Sequence, residues 1–248
     1  DNGLIWACPN HPDAVSYGKA VTRALIEAWP VDLLEINHVE YPLYCDSLDG
    51  YANCFCDHCY ARAEGQGIDL GAIERLLTTL LGQLNSGALA DHWLDELAGS
   101  PLLAQWLAFR TGSITQFVGT IVAEARAAAA THRPNLKIGF DPFLPSALHL
   151  LGIDLEALHS LFDWIAPKFP DYLTGWMIPN IADCIAGPGN DSTAQRQALR
   201  DLLDLGPQPR QYEPMKIEME EMRYCNTADA YTIDRQMPYL SHLREKTA

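Results

Sequence analysis

The chain has 248 residues, of which 48% are apolar, enough to bury a sizeable core in one large domain or two small ones. Its formal net charge of −15 argues against a nucleic-acid partner, since a phosphate backbone is held by clustered Lys and Arg. No run of eighteen apolar residues and no signal-peptide pattern is present, so neither a membrane span nor a membrane partner is expected.

Taken in chain order, helices alternate with short apolar runs. Helical spacing from Asp13 to about Trp29 opens after Pro12 and stops at Pro30. VDLLEIN (31–37) reads as a buried strand. A helix over 69–84 follows the start signal GID, and a long one covers about 102–131 before Pro134. LKIGFD (136–141) reads as a second strand, 154–161 as a helix, FDWIAPK (162–168) as a third strand and 192–205 as a helix. PMKIEME (214–220) reads as a fourth strand, and 229–246 as a last helix.

Strands alternating with helices predict parallel pairing and an α/β architecture. Each strand alternates apolar with polar residues. Leu33, Glu35 and Asn37 share one face of LLEIN; Lys137, Gly139 and Asp141 share one face of KIGFD; Lys216, Glu218 and Glu220 share one face of KIEME. A sheet covered by helices on both faces reads apolar on both, whereas a (β/α)8 barrel carries polar groups inside, toward its catalytic end. The expected fold is therefore a TIM-barrel-like (β/α)8 domain over residues 1–248, incomplete, with four strands evident. An open doubly wound sheet with functional residues at its strand ends is the alternative.

Seven cysteines are present, four of them between Cys45 and Cys59. A secreted disulfide framework spreads its cysteines more evenly; clustering points to metal and to a reducing, cytoplasmic compartment. Cys54, Cys56 and Cys59 form C-x-C-x-x-C, three thiolates for a tetrahedral zinc site, with Cys8 or Cys45 as the fourth. His58, inside the motif, is a weaker ligand. Four thiolates leave zinc no open position, so the expected ion is structural. Cys184 and Cys225 read as small core residues.

The order CPNHPD (8–13), helix, strand ending in NHVEY (37–41), then CFCDHCYARA (54–63) resembles glycoside hydrolase family 42 β-galactosidases and related barrel proteins identified as glycoside hydrolases. The resemblance has motif support over residues 1–63. It implies Cys8 as the fourth zinc ligand and a chain spanning about strands four to seven of a longer barrel. It also implies a general acid/base Glu after an Asn at the end of the fourth strand and a nucleophilic Glu at the end of the seventh. Here Asn37 and Glu40 are separated by His38 and Val39. Glu40 matches best by its distance from the cysteines, and Glu35 is the other choice.

Glycoside hydrolysis needs two carboxyl groups flanking one bond. On this reading Glu40 is the acid/base and Glu218 or Glu220 the nucleophile. Asn37, Asp141, Lys168 and Tyr41 contact the sugar. Trp6, Tyr44, Tyr172 and Trp176 are further stacking aromatics. A carbohydrate is thus the expected partner; the oligomeric state stays open, a homo-oligomer being compatible with the sequence. Against this stand plainer roles: Glu40 as a solvated loop acid, Asp141 as a strand end, Lys168 as an ion-pair partner. Two competing functions remain. One is a noncatalytic carbohydrate-binding barrel with structural zinc. The other, a hydrolase with catalytic zinc, lacks an HExxH or His-x-His motif to support it.

Overall fold

The computed structural model describes residues 6–42, 50, 52–86, 99–142, 148, 150–166, 182–183, 186 and 191–202. Among them the chain runs α1 (Pro12–Ala28), β1 (Leu33–Asn37), α2 (Asp57–Gly65), α3 (Leu70–Ser86), α4 (Pro101–His132), β2 (Lys137–Asp141), α5 (Leu155–Leu158, continued by the 3-10 turn His159–Leu161), β3 (Trp164–Ile165) and α6 (Thr193–Leu202). The strand expected over 214–220 and the helix over 229–246 lie outside the described residues, as do Cys45, Lys168, Glu218, Glu220, Tyr44, Tyr172, Trp176, Cys184 and Cys225.

Local chemistry sets the helix starts. His11 caps α1 through Nδ1, which accepts from the Asp13 N–H at 3.1 Å, and Pro12 takes the first turn, where no N–H is needed. Ser100 and Pro101 do the same for α4, with Ser100 Oγ accepting from Leu103 N–H. Asp69 accepts from Ala72 N–H at 2.8 Å ahead of α3, and Asp154 from Ala157 N–H at 3.0 Å ahead of α5. At the other end of α1, the Trp29 carbonyl accepts from Nε and an Nη of Arg133, tying α1 to the end of α4.

The strands form one parallel sheet in the order β1-β2-β3. Register sets Leu34 beside Ile138 and Ile36 beside Phe140, and these side chains face the helices. Helix α4 is 32 residues long, about 48 Å at 1.5 Å per residue. Its positions 114, 118, 121, 122, 125, 128 and 129 recur at helical spacing and pack with Ile26 of α1 and the apolar sheet face. Nearer its start, Trp106 and Phe109 enter a second core with Cys59, Ala63, Leu70, Ile73 and Leu77. One helix thus belongs to both cores. Between α1 and α4, Glu124 accepts from Arg23 Nε at 2.7 Å and lies 3.3 Å from Lys19 Nζ. The Arg23 hydrogen bonds hold its carboxyl below the usual carboxylate range.

The barrel expectation is overturned. The described residues are mostly helical, with a three-stranded open sheet and no (β/α)8 closure. The alternation that suggested a barrel interior has another origin. Helices α1 and α4 cover one sheet face, while Leu33, Glu35, Asn37 and Lys137 on the other are exposed. A parallel sheet covered on one face gives the same polar–apolar pattern as a barrel strand, so alternation alone did not separate the two. Among the described residues no helix is long and apolar enough to cross a membrane.

Asp163 fastens the strand starts. Its Oδ2 accepts from Ile138 N–H at 2.8 Å, and its carboxylate pairs with Arg126 at 2.9 Å and Lys137 at 3.5 Å. The Ile138 hydrogen bond, helped by Arg126, holds the Asp163 carboxyl below its ordinary value of 3.8. The stabilisation is therefore complete above that value and is lost as pH falls through the lowered one. Asp163→Asn is expected to lower unfolding free energy by no more than about 1 kcal/mol at neutral pH, since the pairs are partly solvated. Urea unfolding should show that gap closing as pH falls below 3.8; a gap constant with pH would contradict the ion-pair role.

Candidate metal centre and the polar sheet face

Four thiols meet from three segments. Cys8 lies in the loop before α1; Cys54 and Cys56 lie in the loop before α2, Cys56 as its N-cap; Cys59 is in the first turn of α2. The C-x-x-C spacing across a helix start turns Cys56 and Cys59 to the same side. Cys8 Sγ lies 3.5 Å from Cys59 Sγ and 3.5 Å from Cys56 Sγ, and all four sulfurs fall within 4.8 Å of one another. Zinc–sulfur bonds of about 2.3 Å place tetrahedral sulfurs about 3.8 Å apart, whereas a disulfide needs about 2.05 Å. The cysteines are free thiols with the spacing of a metal site. These residues fit a metal ion such as zinc, with Cys8 as the fourth ligand.

The charges agree with that fit. The Cys54 thiol is pushed well down by hydrogen bonds from Cys59 and Cys8. Cys59 is pushed up, chiefly by that bond to Cys54, and Cys8 is pushed up to about 12 for the same reason. Thiols this close cannot all ionise beside one another; a divalent cation takes the place of their protons. Around the sulfurs, Asn10 donates its backbone N–H to Cys8 Sγ at 3.4 Å and its side-chain amide to Cys59 Sγ at 3.3 Å. The same amide reaches Ser113 Oγ of α4 at 3.1 Å, and Ser113 donates to the Phe109 carbonyl. Such outer contacts orient ligands. The sequence reading missed Asn10, Ser113 and helix α2; the signal for α2 was the C-x-x-C step itself. His58 packs its ring edge-on to His11, with centroids 4.2 Å apart, and is outside the four-sulfur group.

The carboxylates separate into two places. After Asn37 the backbone turns through a left-handed His38, φ 53°, an uncommon conformation for a residue with a Cβ. That turn carries Glu40 inward. Its side chain is 1% exposed and its Oε1 lies 3.3 Å from His38 Nδ1. Glu40 lines a cleft of about 490 Å³ beside Cys8 and Cys54, on the helix side of the sheet. Tyr41 is buried too, with its N–H on the Leu151 carbonyl at 2.9 Å and the Arg110 guanidinium 4.1 Å from its ring centre. Burial pushes its phenol up. Gly152 sits against this ring with φ +79°; a Cβ there would lie 2.8 Å from Tyr41 Cδ2.

The other two predicted contacts, Asn37 and Asp141, are brought together. They are paired in register at the C-terminal ends of β1 and β2. On the same face, Asn37 Nδ2 donates to Glu35 Oε1 at 3.4 Å. Trp164, opposite Gly139, lays its indole directly over that glycine, where a Cβ would fall 1.9 Å from ring atoms. Glu35, Asn37, Asp141 and Trp164 thus share one face. The sequence reading placed the strand of Trp164 but not its role, because which residue it faces depends on register across strands.

No family model matches the chain, and neither a curated protein nor a solved structure matches it.

The cluster geometry makes a specific demand on Cys8. Cys8→Ser is expected to weaken zinc binding by at least about tenfold, since loss of an outer contact alone costs that much, while Cys45→Ser leaves it unchanged. Competition against a chromophoric chelator measures both. Affinity should also fall with pH, because the ligands must shed protons.

Proposed function

We propose that the protein acts on carbohydrate by glycosidic-bond hydrolysis, with a structural zinc held by Cys8, Cys54, Cys56 and Cys59. The observation that carries the reading is the polar face at the strand ends, where Asn37 and Asp141 lie in register beside Glu35 and the Trp164 ring. Ligands of parallel sheets bind outside the carboxyl ends of the strands. Amide and carboxylate groups there match sugar hydroxyls, and an indole face matches the C–H face of a sugar ring.

The resemblance to family 42 calls for an Asn–Glu pair. The pair supported in space is Asn37 with Glu35, both exposed. We therefore assign the general acid to Glu35 rather than Glu40, whose side chain is 1% exposed. A proton donor must reach the leaving oxygen within about 2.6–3.2 Å, and a buried, His38-paired carboxylate suits a positioning role. Glu218 or Glu220 is assigned the nucleophile on the sequence pattern. Four thiolates give zinc no open position, so the ion fixes the loop before α1 to α2 and does no chemistry.

A second reading, sugar binding without cleavage, is favoured by the withdrawal of Glu40 from the polar face. Assay of aryl glycosides separates the two. Under hydrolysis, Glu35→Gln lowers turnover by about 10²–10⁴-fold, and Glu40→Gln lowers stability more than turnover. Absence of turnover with sugar affinity that falls in Asn37→Ala and Asp141→Ala would establish the binder instead. Loss of turnover in Glu40→Gln alone would overturn the acid assignment.

A further inference from the structure

Helix α1 departs from the usual division between a buried stripe and a charged outer face. Its core side buries Thr22 and Ile26. Its charges Lys19, Arg23 and Glu27 recur at four-residue spacing along one flank and turn to α4. Lys19 and Arg23 pair with Glu124, and Glu27 lies 3.7 Å from His132. The face pointing away from the core is apolar instead. Tyr17, Val21 and Leu25 recur there at the same spacing and are 73%, 39% and 41% exposed. Ala20, Ala24 and Ala28 run alongside them and are exposed too. Between Asp13 and Trp29 this face carries no charge.

We propose that a second copy of this chain docks on that face, α1 against α1, antiparallel across a two-fold axis at Val21. The spacing makes the face self-complementary. Tyr17 and Leu25 lie equally far from Val21, so the axis sets Val21 against its own copy and Tyr17 of each copy against Leu25 of the other. The alanine row leaves grooves into which those larger side chains fit. The same axis sets Asp13 of one copy beside the far end of α1 in the other. Arg133 stands at that end, with Nε and an Nη on the Trp29 carbonyl and the other Nη on the His132 carbonyl. Those partners are neutral, so its positive charge remains to meet the exposed Asp13. A chain of net charge −15 repels its own copies, and a face that is uncharged along its length and oppositely charged at its ends meets itself with least repulsion. Tyr17, Val21, Leu25 and the 62%-exposed Trp29 offer on the order of 400 Å² per copy, against roughly 800 Å² per partner in a standard interface. The dimer is therefore weak and reversible.

Sedimentation equilibrium of the full zinc-loaded chain, from about 1 μM to about 1 mM, reads this association directly. The parent protein is expected to pass from monomer toward dimer within that range. Val21→Lys sets two like charges against each other on the axis and should weaken the dimer at least about tenfold, with circular dichroism unchanged. Asp13→Lys should weaken it several-fold. A parent protein that stays monomeric throughout would overturn the proposal and leave the face to a partner of another kind. So would a dimer as tight as the parent's in a folded Val21→Lys protein. Where Val21→Lys does not fold, Tyr17→Lys, at the most exposed of these positions, replaces it, and an undiminished dimer there is the overturning result. An undiminished dimer in Asp13→Lys would overturn the antiparallel arrangement. None of these outcomes depends on glycoside turnover.

Discussion

The meeting of four thiols is the constraint on which the rest of the described structure depends. Cys8 and Cys59 are 51 residues apart in sequence, yet their sulfurs lie 3.5 Å from each other. That contact fixes the loop before α1 against the first turn of α2. Asn10 then passes the constraint to α4 through Ser113. Without a cation the crowded sulfurs cannot all ionise. With one, the loops on both sides are closed at a single point, as binding energy becomes folding energy.

Helix α4 carries that constraint across the molecule. Its first turns bury Trp106 and Phe109 among Cys59, Leu70 and Ile73; its later turns bury Ile114 to Ala129 against α1 and the sheet. A helix shared by two cores ties the packing around the cysteine loop to the packing under β1 and β2. The sheet in turn has two characters. Its apolar face is paired with helices, and its other face presents Glu35, Asn37 and Asp141 with Trp164 laid over Gly139. The proposed sugar site is on that second face.

Much of this was legible in the residues, for physical reasons that differ by feature. Helix ends were readable because Pro12 and Asp69 act locally, within a turn of themselves; the Ser100–Pro101 start of α4 went unread. The metal group was readable because thiol clustering has few other uses, and the choice of Cys8 came through the family resemblance. The open sheet was not, because period-2 alternation records that one face is covered and one is polar, not whether the sheet closes into the barrel that was expected. The place of Glu40 was not legible either. It depends on a left-handed turn at His38, a residue type that gives no such signal by itself. Trp164 escaped notice because its partner Gly139 is 25 residues away and joined to it only by strand register.

Everything tied to the cysteine loop depends on whether the four sulfurs hold one metal ion together. X-ray absorption at the zinc edge of the zinc-loaded chain measures this directly. Four sulfur neighbours at about 2.3 Å, with no nitrogen or oxygen scatterer, is the result the structure predicts. A shell containing oxygen or nitrogen, or fewer than four sulfurs, would contradict it. That result would mean an ion with an open position or a different ligand set, and the structural role assigned to zinc would fall with it.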